Sequence, residues 1–336
     1  MATSILITGA SGFIGSFIVE EALKRGYNVW AGIRSTSKKD FLRDGRIHIL
    51  ELDFSNPDEL KAQLSGHKGT HSKWDYIVHN AGITKSKDKE GFMRVNYQQT
   101  KIFVDALLEL NMLPKQFFYM SSLSVFGPIR EKDYLPINGS DIPKPNTTYG
   151  HSKLAAEKYI QSIPELPYVI LRPTGVYGPR EKDYFLMAKS VNMHLDFAVG
   201  YKKQIITFVY VRDLATALFL AIEHGVTRKS YFISDGKNYS SRAFSDLIQK
   251  ELGNRFVIHI KCPLFLLKII SLLAELFASF SGKSSTLNGD KYKIMKQRNW
   301  QCDITPITQE LDYKPEYDLE KGMEETIAWY KQEEWL

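Results

Sequence analysis

Thr8-Gly9-Ala10-Ser11-Gly12-Phe13-Ile14-Gly15 joins a short apolar run, Ile5 to Thr8, to a stretch with helical spacing, Phe13 to Arg25. In that strand, turn, helix order the glycines serve a tight turn, close approach of backbone to a ligand, and packing of the helix against the strand. The helix N-terminus adds N–H groups and the positive end of its dipole. Gly9, Ser11, Gly12, Phe13, Ile14 and Gly15 therefore read as a pyrophosphate cradle.

The same alternation continues outward. Asn28 to Ile33, Ile47 to Leu52, Tyr76 to His79, Phe117 to Met120 and Tyr168 to Leu171 are short apolar runs, separated by helical stretches at Pro57 to Leu64, Phe92 to Asn111 and Tyr149 to Ile163. This pattern predicts an α/β fold with a doubly wound parallel sheet and helices on both faces. After Gly178 the rhythm loosens. Residues 1–178 are expected to form a dinucleotide-binding domain, joined by a returning segment near 205–235. Residues 179–204 and 236–336 are expected to form mainly a smaller C-terminal lobe, ending in an amphipathic helix from Leu319 to Lys331.

At 336 residues, with 43% hydrophobic and 24% charged residues, the chain can build a large core, which excludes disorder. Cys262 and Cys302 are too few for a disulfide framework, and no basic leader precedes the first apolar run, so a cytoplasmic location is expected. The net charge is +6, but the basic residues are scattered, with no stripe interleaved by aromatics; nucleic acid is not an expected partner. No metal site is expected.

A carboxylate at the end of the second strand would favour NAD by bonding the ribose 2′-hydroxyl. Here the chain reads Gly32-Ile33-Arg34-Ser35-Thr36-Ser37-Lys38-Lys39. Arg34 suits a 2′-phosphate, with Ser35, Lys38 or Lys39 adding to it, so NADP(H) is favoured over NAD(H). Asp53, after the third strand, either faces the adenine or caps the next helix.

Tyr149-Gly150-His151-Ser152-Lys153 opens a helical stretch and places a phenol and an ammonium four apart on one face. A cation there should lower the phenol pKa so that it exchanges a proton with an alcohol or carbonyl oxygen. Tyr119-Met120-Ser121-Ser122-Leu123-Ser124-Val125-Phe126-Gly127 ends a strand where open α/β sheets present ligands. A serine hydroxyl at that edge can steady the reacting oxygen.

With these motifs in order, the chain resembles the extended short-chain dehydrogenases of the NAD-dependent epimerase/dehydratase superfamily. The likeness runs from the glycine turn through His79-Asn80-Ala81-Gly82, Asn96, Tyr149 and Lys153. It continues through Leu171-Arg172-Pro173-Thr174-Gly175-Val176-Tyr177-Gly178-Pro179 and Val209 to Ala215, and ends with Trp300 to Tyr330. The resemblance implies a Rossmann-type sheet with a smaller C-terminal substrate-binding lobe. It implies Tyr149 as acid/base, Lys153 holding the ribose, Ser122 polarising the substrate, with Ser121 as the alternative, and Asn96 buttressing the site. Phe54, Asn80, Ala81, Gly82, Pro173 and Val176 would line the cofactor, and Thr84, Ser124, Phe126, Tyr177 and Tyr210 the substrate. Pairing of two copies through Phe92 to Asn111 and Tyr149 to Ile163 is also implied, giving a homodimer.

Two departures point away from nucleotide sugars. Where similar sugar-nucleotide epimerases carry an Arg-Asp pair, this chain has Ile206-Thr207, and Tyr210 replaces their usual His. A missing cation opposite two phosphates is hard to replace, although Arg180, Lys202 or Lys203 are neighbouring candidates. With Arg34, this makes the chain similar to the dihydroflavonol-reductase-like and 3β-hydroxysteroid-dehydrogenase-like members. The reading is an NADP(H)-dependent oxidoreductase acting on a keto or hydroxyl group of a mostly apolar small molecule. The alternatives are a nucleotide-sugar epimerase or dehydratase that recycles NAD, and a catalytically idle dinucleotide-binding protein.

Pro263 to Ala278 is apolar all round except for a stripe of Lys268, Ser271 and Glu275. A helix so apolar is expected to be covered by packing in the lobe or by a second copy, or to serve substrate entry or weak membrane contact through 263–280. Two charges in so short a run argue against a span.

Overall fold

The computed structural model describes residues 3–86, 89–281 and 289–336, with backbone alone at 89 and 275–281. The dinucleotide half follows the expected order: β1 (Ser4–Thr8), α1 (Phe13–Lys24), β2 (Asn28–Ile33), β3 (His48–Glu51), α2 (Pro57–Thr70) and β4 (Tyr76–His79). Then come α3 (Lys89–Phe92), a π-helical turn (Met93–Gln98), α4 (Gln99–Glu109), β5 (Gln116–Met120), a 3₁₀ turn (Leu123–Val125), α5 (Thr148–Gln161) and β6 (Tyr168–Pro173). The remainder holds β7 (Gly175–Tyr177), α6 (Asp183–Asn192), β8 (Leu195–Val199), β9 (Ile205–Ile206), β10 (Phe208–Tyr210), α7 (Val211–Glu223), β11 (Lys229–Ile233), β12 (Tyr239–Ser240), α8 (Ala243–Leu252), β13 (Ile258–Cys262), α9 (Leu264–Ser281), α10 (Gly289–Lys296), α11 (Thr305–Leu311) and α12 (Leu319–Gln332).

The central sheet has seven strands in the order β11-β6-β5-β4-β1-β2-β3. The pairings from β3 to β6 are parallel, and the strand order turns back between β1 and β4, where Thr8 stands in register with His79. This is the Rossmann-type arrangement, and its switch point is where such sheets bind ligands. One layer of side chains between sheet and helices includes Leu6, Ile77, Phe103, Phe117, Tyr119 and Ile170, all fully buried. Each such burial contributes roughly 1.5–3 kcal/mol. Local signals agree with the packing: Asn56 caps α2 by accepting from the N–H groups of Asp58 and Glu59, with Pro57 in the first turn.

The chain divides into two compact units, one of residues 1–122, 148–172 and 215–231, the other of 123–147, 173–214 and 232–336. The division differs from the expected one at residues 123–147, 173–178, 205–214 and 232–235, which go with the second unit. Ile137 there bonds backbone to backbone with Gln301, and Gln297 donates to the carbonyl of Gly127. The second unit has its own core, with Tyr177, Phe208, Tyr210, Phe244, Leu319, Met323 and Tyr330 buried.

One expectation fails for α9. Leu267 and Ser271 are buried, but Phe265, Leu266, Ile269, Ile270, Leu272 and Leu273 are 41–69% exposed, so the described residues do not cover the helix. The expected polar stripe is split, with Lys268 in solvent and Ser271 turned inward to bond the Leu267 carbonyl. The Glu275 side chain lies outside the described residues. Among the described residues, no helix is long and apolar enough to cross a membrane.

Candidate active site

The glycine turn has the geometry of a cradle. Gly9 has φ +66°, and a Cβ there would come within 2.9 Å of the Ala81 nitrogen. A Cβ on Gly15 would press into the Gly9 carbonyl, so this glycine lets α1 lie against the turn. Gly12 is the N-cap of α1 and supplies no side-chain bond to its first turn. Ser11, Gly12, Phe13 and Ile14 keep accessible surface at this helix end. A pyrophosphate fits such a set, because the donors are backbone N–H groups with no side chain before them.

A buried chain of hydrogen bonds supports the loop beside the cradle. The Ala81 N–H donates to Thr8 Oγ1 at 3.2 Å, and Thr8 Oγ1 lies 3.0 Å from His79 Nδ1. His79 Nε2 lies 3.0 Å from Thr100 Oγ1, whose hydroxyl donates to the Asn96 carbonyl. With the Thr8 hydroxyl donating to Nδ1, the ring carries its proton on Nε2. Burial, with Lys153 adding repulsion, pushes the His79 pKa down to about 3, so the ring stays neutral. Asn96 sits in the π-helical turn, a local insertion that recurs at functional sites. Its side chain accepts from the Ile83 N–H at 2.8 Å and donates to the Ile83 carbonyl and to Ser152 Oγ.

On α5 the phenol of Tyr149, the ammonium of Lys153 and the carboxylate of Glu157 follow at four-residue spacing. A side-chain hydrogen bond joins Ser122 to the half-buried Tyr149. Ser121 is buried and donates to Glu157, which also pairs with Arg172 at 2.7 Å. Lys153 donates to the Met120 carbonyl at 2.8 Å, lies 4.8 Å from the centre of the Tyr119 ring, and abuts Gly82. Burial pushes its pKa down to about 8, opposed by Glu157. The expected fall in the Tyr149 pKa does not occur. Burial drives it up to about 12, partly offset by Ser122, while the ammonium is engaged by Met120.

The profile of the NAD dependent epimerase/dehydratase family matches residues 5–234. The chain belongs to this family. It is an enzyme of the short-chain dehydrogenase/reductase type, and the family's cofactor is a nicotinamide dinucleotide. It is 23% identical to a sterol-4-alpha-carboxylate 3-dehydrogenase, decarboxylating, of Candida albicans, covering 98% of each chain. It is 26% identical to a UDP-glucose 4-epimerase of Vibrio cholerae, over 99% of this chain and 97% of the other. Among solved structures, the UDP-glucose 4-epimerase of Thermotoga maritima with UDP-glucose superposes with a TM-score of 0.78 at 20% identity, over 98% of this chain and 99% of that one. The dTDP-glucose 4,6-dehydratase of Bacillus anthracis in complex with NAD gives 0.77 at 18%, over 99% and 98%.

Within this epimerase/dehydratase fold several expected contacts are displaced. Phe126 is 1% exposed and packs edge-on against Phe232. Tyr177 donates to the Asp318 carbonyl, and Gly322 lies against its hydroxyl. Tyr210 donates to Glu325 at 2.7 Å and stacks on Tyr317 at 4.2 Å. All three therefore belong to the core of the second unit and not to a substrate surface. The Phe54 ring is in the core against His79 and Phe103, which leaves only its backbone for a cofactor. Asp53 bonds the N–H and hydroxyl of Ser55 while Asn56 takes the cap of α2, so the capping alternative falls. Arg34 and Lys38 are exposed just beyond β2, Thr84 is exposed, Ser124 and Val176 are half-buried, and Pro173 ends β6 buried. The Thr8, His79 and Thr100 relay and the Glu157–Arg172 pair were missed. Their signal was present as polar residues inside apolar runs, which require partners when buried.

Proposed function

We propose that this enzyme is an NADP(H)-dependent oxidoreductase that reduces a keto group, or oxidises a hydroxyl, on a mostly apolar small molecule. The observation that carries the reading is the bond between Ser122 and Tyr149, with Lys153 one turn further along α5. When bound, the nicotinamide supplies or accepts a hydride. Tyr149, neutral at ordinary pH because burial raises its pKa to about 12, donates its proton to the substrate oxygen in the reductive direction. Ser122 donates to the same oxygen and then steadies the phenolate, while Lys153 holds the ribose and lends positive charge. The turn of Gly9, Ser11, Gly12, Phe13, Ile14 and Gly15 would hold the pyrophosphate. Asp53, Asn80, Ala81, Gly82, Pro173 and Val176 would line the rest of the dinucleotide.

Arg34, with Lys38 nearby, supports the 2′-phosphate, since the end of β2 reads Ile33-Arg34-Ser35 with no carboxylate. Ile206-Thr207 in place of an Arg-Asp pair, and the likeness to a sterol dehydrogenase over 98% of both chains, support an apolar substrate. Thr84 and Ser124 are the substrate contacts retained. The likeness to the Vibrio cholerae epimerase over nearly full length favours a second reading, a nucleotide-sugar epimerase with recycled NAD. The same proposal places the enzyme in the cytoplasm, where Cys262 and Cys302 stay free thiols, as a homodimer paired through α4 and α5.

The test mixes the purified chain with NADPH or NADH and a panel of ketones and sterol ketones, following nicotinamide absorbance. NADPH-linked reduction is expected, with Tyr149→Phe lowering kcat by at least about a hundredfold while dinucleotide affinity holds. Unchanged turnover in that variant would defeat the assignment. A tenfold preference for NADH would defeat the role of Arg34, and interconversion of UDP-sugars without net NADPH use would select the epimerase reading.

A further inference from the structure

We propose that the apolar face carried by α9 and the β8/β13 pair is a membrane-docking surface that lies flat on an anionic bilayer. The inference stands independently of the proposed chemistry. Along α9, Leu267 and Ser271 turn inward at 5% and 2% exposure, while Phe265, Leu266, Ile269, Ile270, Leu272 and Leu273 face outward at 41–69%. β13 leads into this helix through Cys262 and Pro263. In the parallel pair, Ile260 is in register with Phe197 and Ile258 with Leu195. Alternate residues share a face of a strand, so Ile258, Ile260 and Phe197 form one apolar face, at 56%, 40% and 55% exposure. Soluble chains seldom leave so much apolar surface to water.

Charge identifies the occupant. Residues 255–298 carry eight of the 44 Lys and Arg and two of the 38 Asp and Glu, a net of +6. The rest of the chain holds 36 of each sign, so the whole net charge, which looked scattered along the sequence, resides in this apolar segment. Lys261, Lys268, Lys293 and Lys296 are exposed. A second copy packed here about a two-fold axis would set the exposed Lys261, Lys268, Lys293 and Lys296 against their own kind, whereas anionic headgroups complement them. The 18 residues of α9 span about 27 Å, with one side held by the protein, so the helix lies in the interface and its outer half enters the acyl boundary.

The test sediments the full chain with phosphatidylcholine vesicles, alone or containing phosphatidylserine. At least roughly tenfold tighter binding to the serine-containing vesicles is expected, weakened by added salt. Phe265→Asp with Ile269→Asp should lose binding to both vesicles, and Lys261→Glu with Lys268→Glu should lose the preference for phosphatidylserine. Equal sedimentation of the parent and the aspartate variant, or no binding by the parent, would overturn the proposal. So would a lipid-free dimer that the aspartate pair dissolves, which would give the face to a second copy. Should the aspartate variant unfold, the lysine pair decides, and an unchanged phosphatidylserine preference overturns the proposal.

Discussion

Acidification should weaken the fold through His79, and the size of the effect follows from its surroundings. The ring is 1% exposed between Thr8 and Thr100, and its pKa falls from 6.5 to about 3. A group with a depressed folded-state pKa binds fewer protons folded than unfolded, so the stability it permits is complete above pH 6.5 and declines as pH falls toward 3. Each pH unit in that window is worth about 1.4 kcal/mol, so at pH 5 the loss is about 2 kcal/mol. The assay is urea unfolding of the parent and of His79→Gln at about pH 8 and pH 5, comparing the loss between the two conditions. Other groups titrating in the window, including His67, held down to about 4, and Asp213 and Asp235, raised to about 6 by burial, are common to both proteins and cancel. The parent should lose about 2 kcal/mol more than the variant. Equal losses would refute a neutral, proton-excluding His79. Because the folded ring stays neutral down to about pH 3, the relay to the Ala81 N–H is intact at pH 5, and His79 itself should not weaken dinucleotide affinity there.

Two further outcomes follow from packing. Glu157→Gln leaves the Arg172 guanidinium buried without its carboxylate and should destabilise by about 3–5 kcal/mol in denaturant unfolding; a loss under about 1 kcal/mol would show that the pair is solvated. Gly15→Ala drives a Cβ into the backbone of Gly9 and Ala10, whereas Gly12→Ala meets only the Gly9 carbonyl at 3.2 Å. Calorimetric titration with dinucleotide should therefore show the Gly15 variant weakened at least roughly tenfold and well beyond the Gly12 variant, with a stability loss of about 1–3 kcal/mol; the reverse order would contradict the packing role.

The sheet was legible because its inner strands are buried on both faces and read as short apolar runs, and β2 and β4 have the boundaries their apolar runs indicate. The glycine turn was legible because backbone geometry allows few other residues there. What sequence periodicity could not show was the direction of polar atoms on aromatic rings. Tyr177 and Tyr210 were expected as substrate contacts because they lie in the segments that carry the family resemblance, yet both hydroxyls have internal acceptors. The α9 helix shows the opposite failure. An apolar pattern all round implies a cover, but it does not say whether that cover is protein or lipid.

The two serines at the end of β5 show why the site becomes readable only when strand and helix meet. From the strand alone, either Ser121 or Ser122 serves. From the helix alone, Tyr149, Lys153 and Glu157 are a phenol, a cation and an acid at equal spacing. Successive residues of an extended chain point opposite ways, so the two serines cannot share a partner. Ser121 reaches Glu157, already committed to Arg172, and Ser122 reaches Tyr149. The Glu157–Arg172 pair thus removes one hydroxyl from the chemistry and leaves the other beside the phenol. Replacing Ser121 should then lower stability more than turnover, and replacing Ser122 should do the reverse.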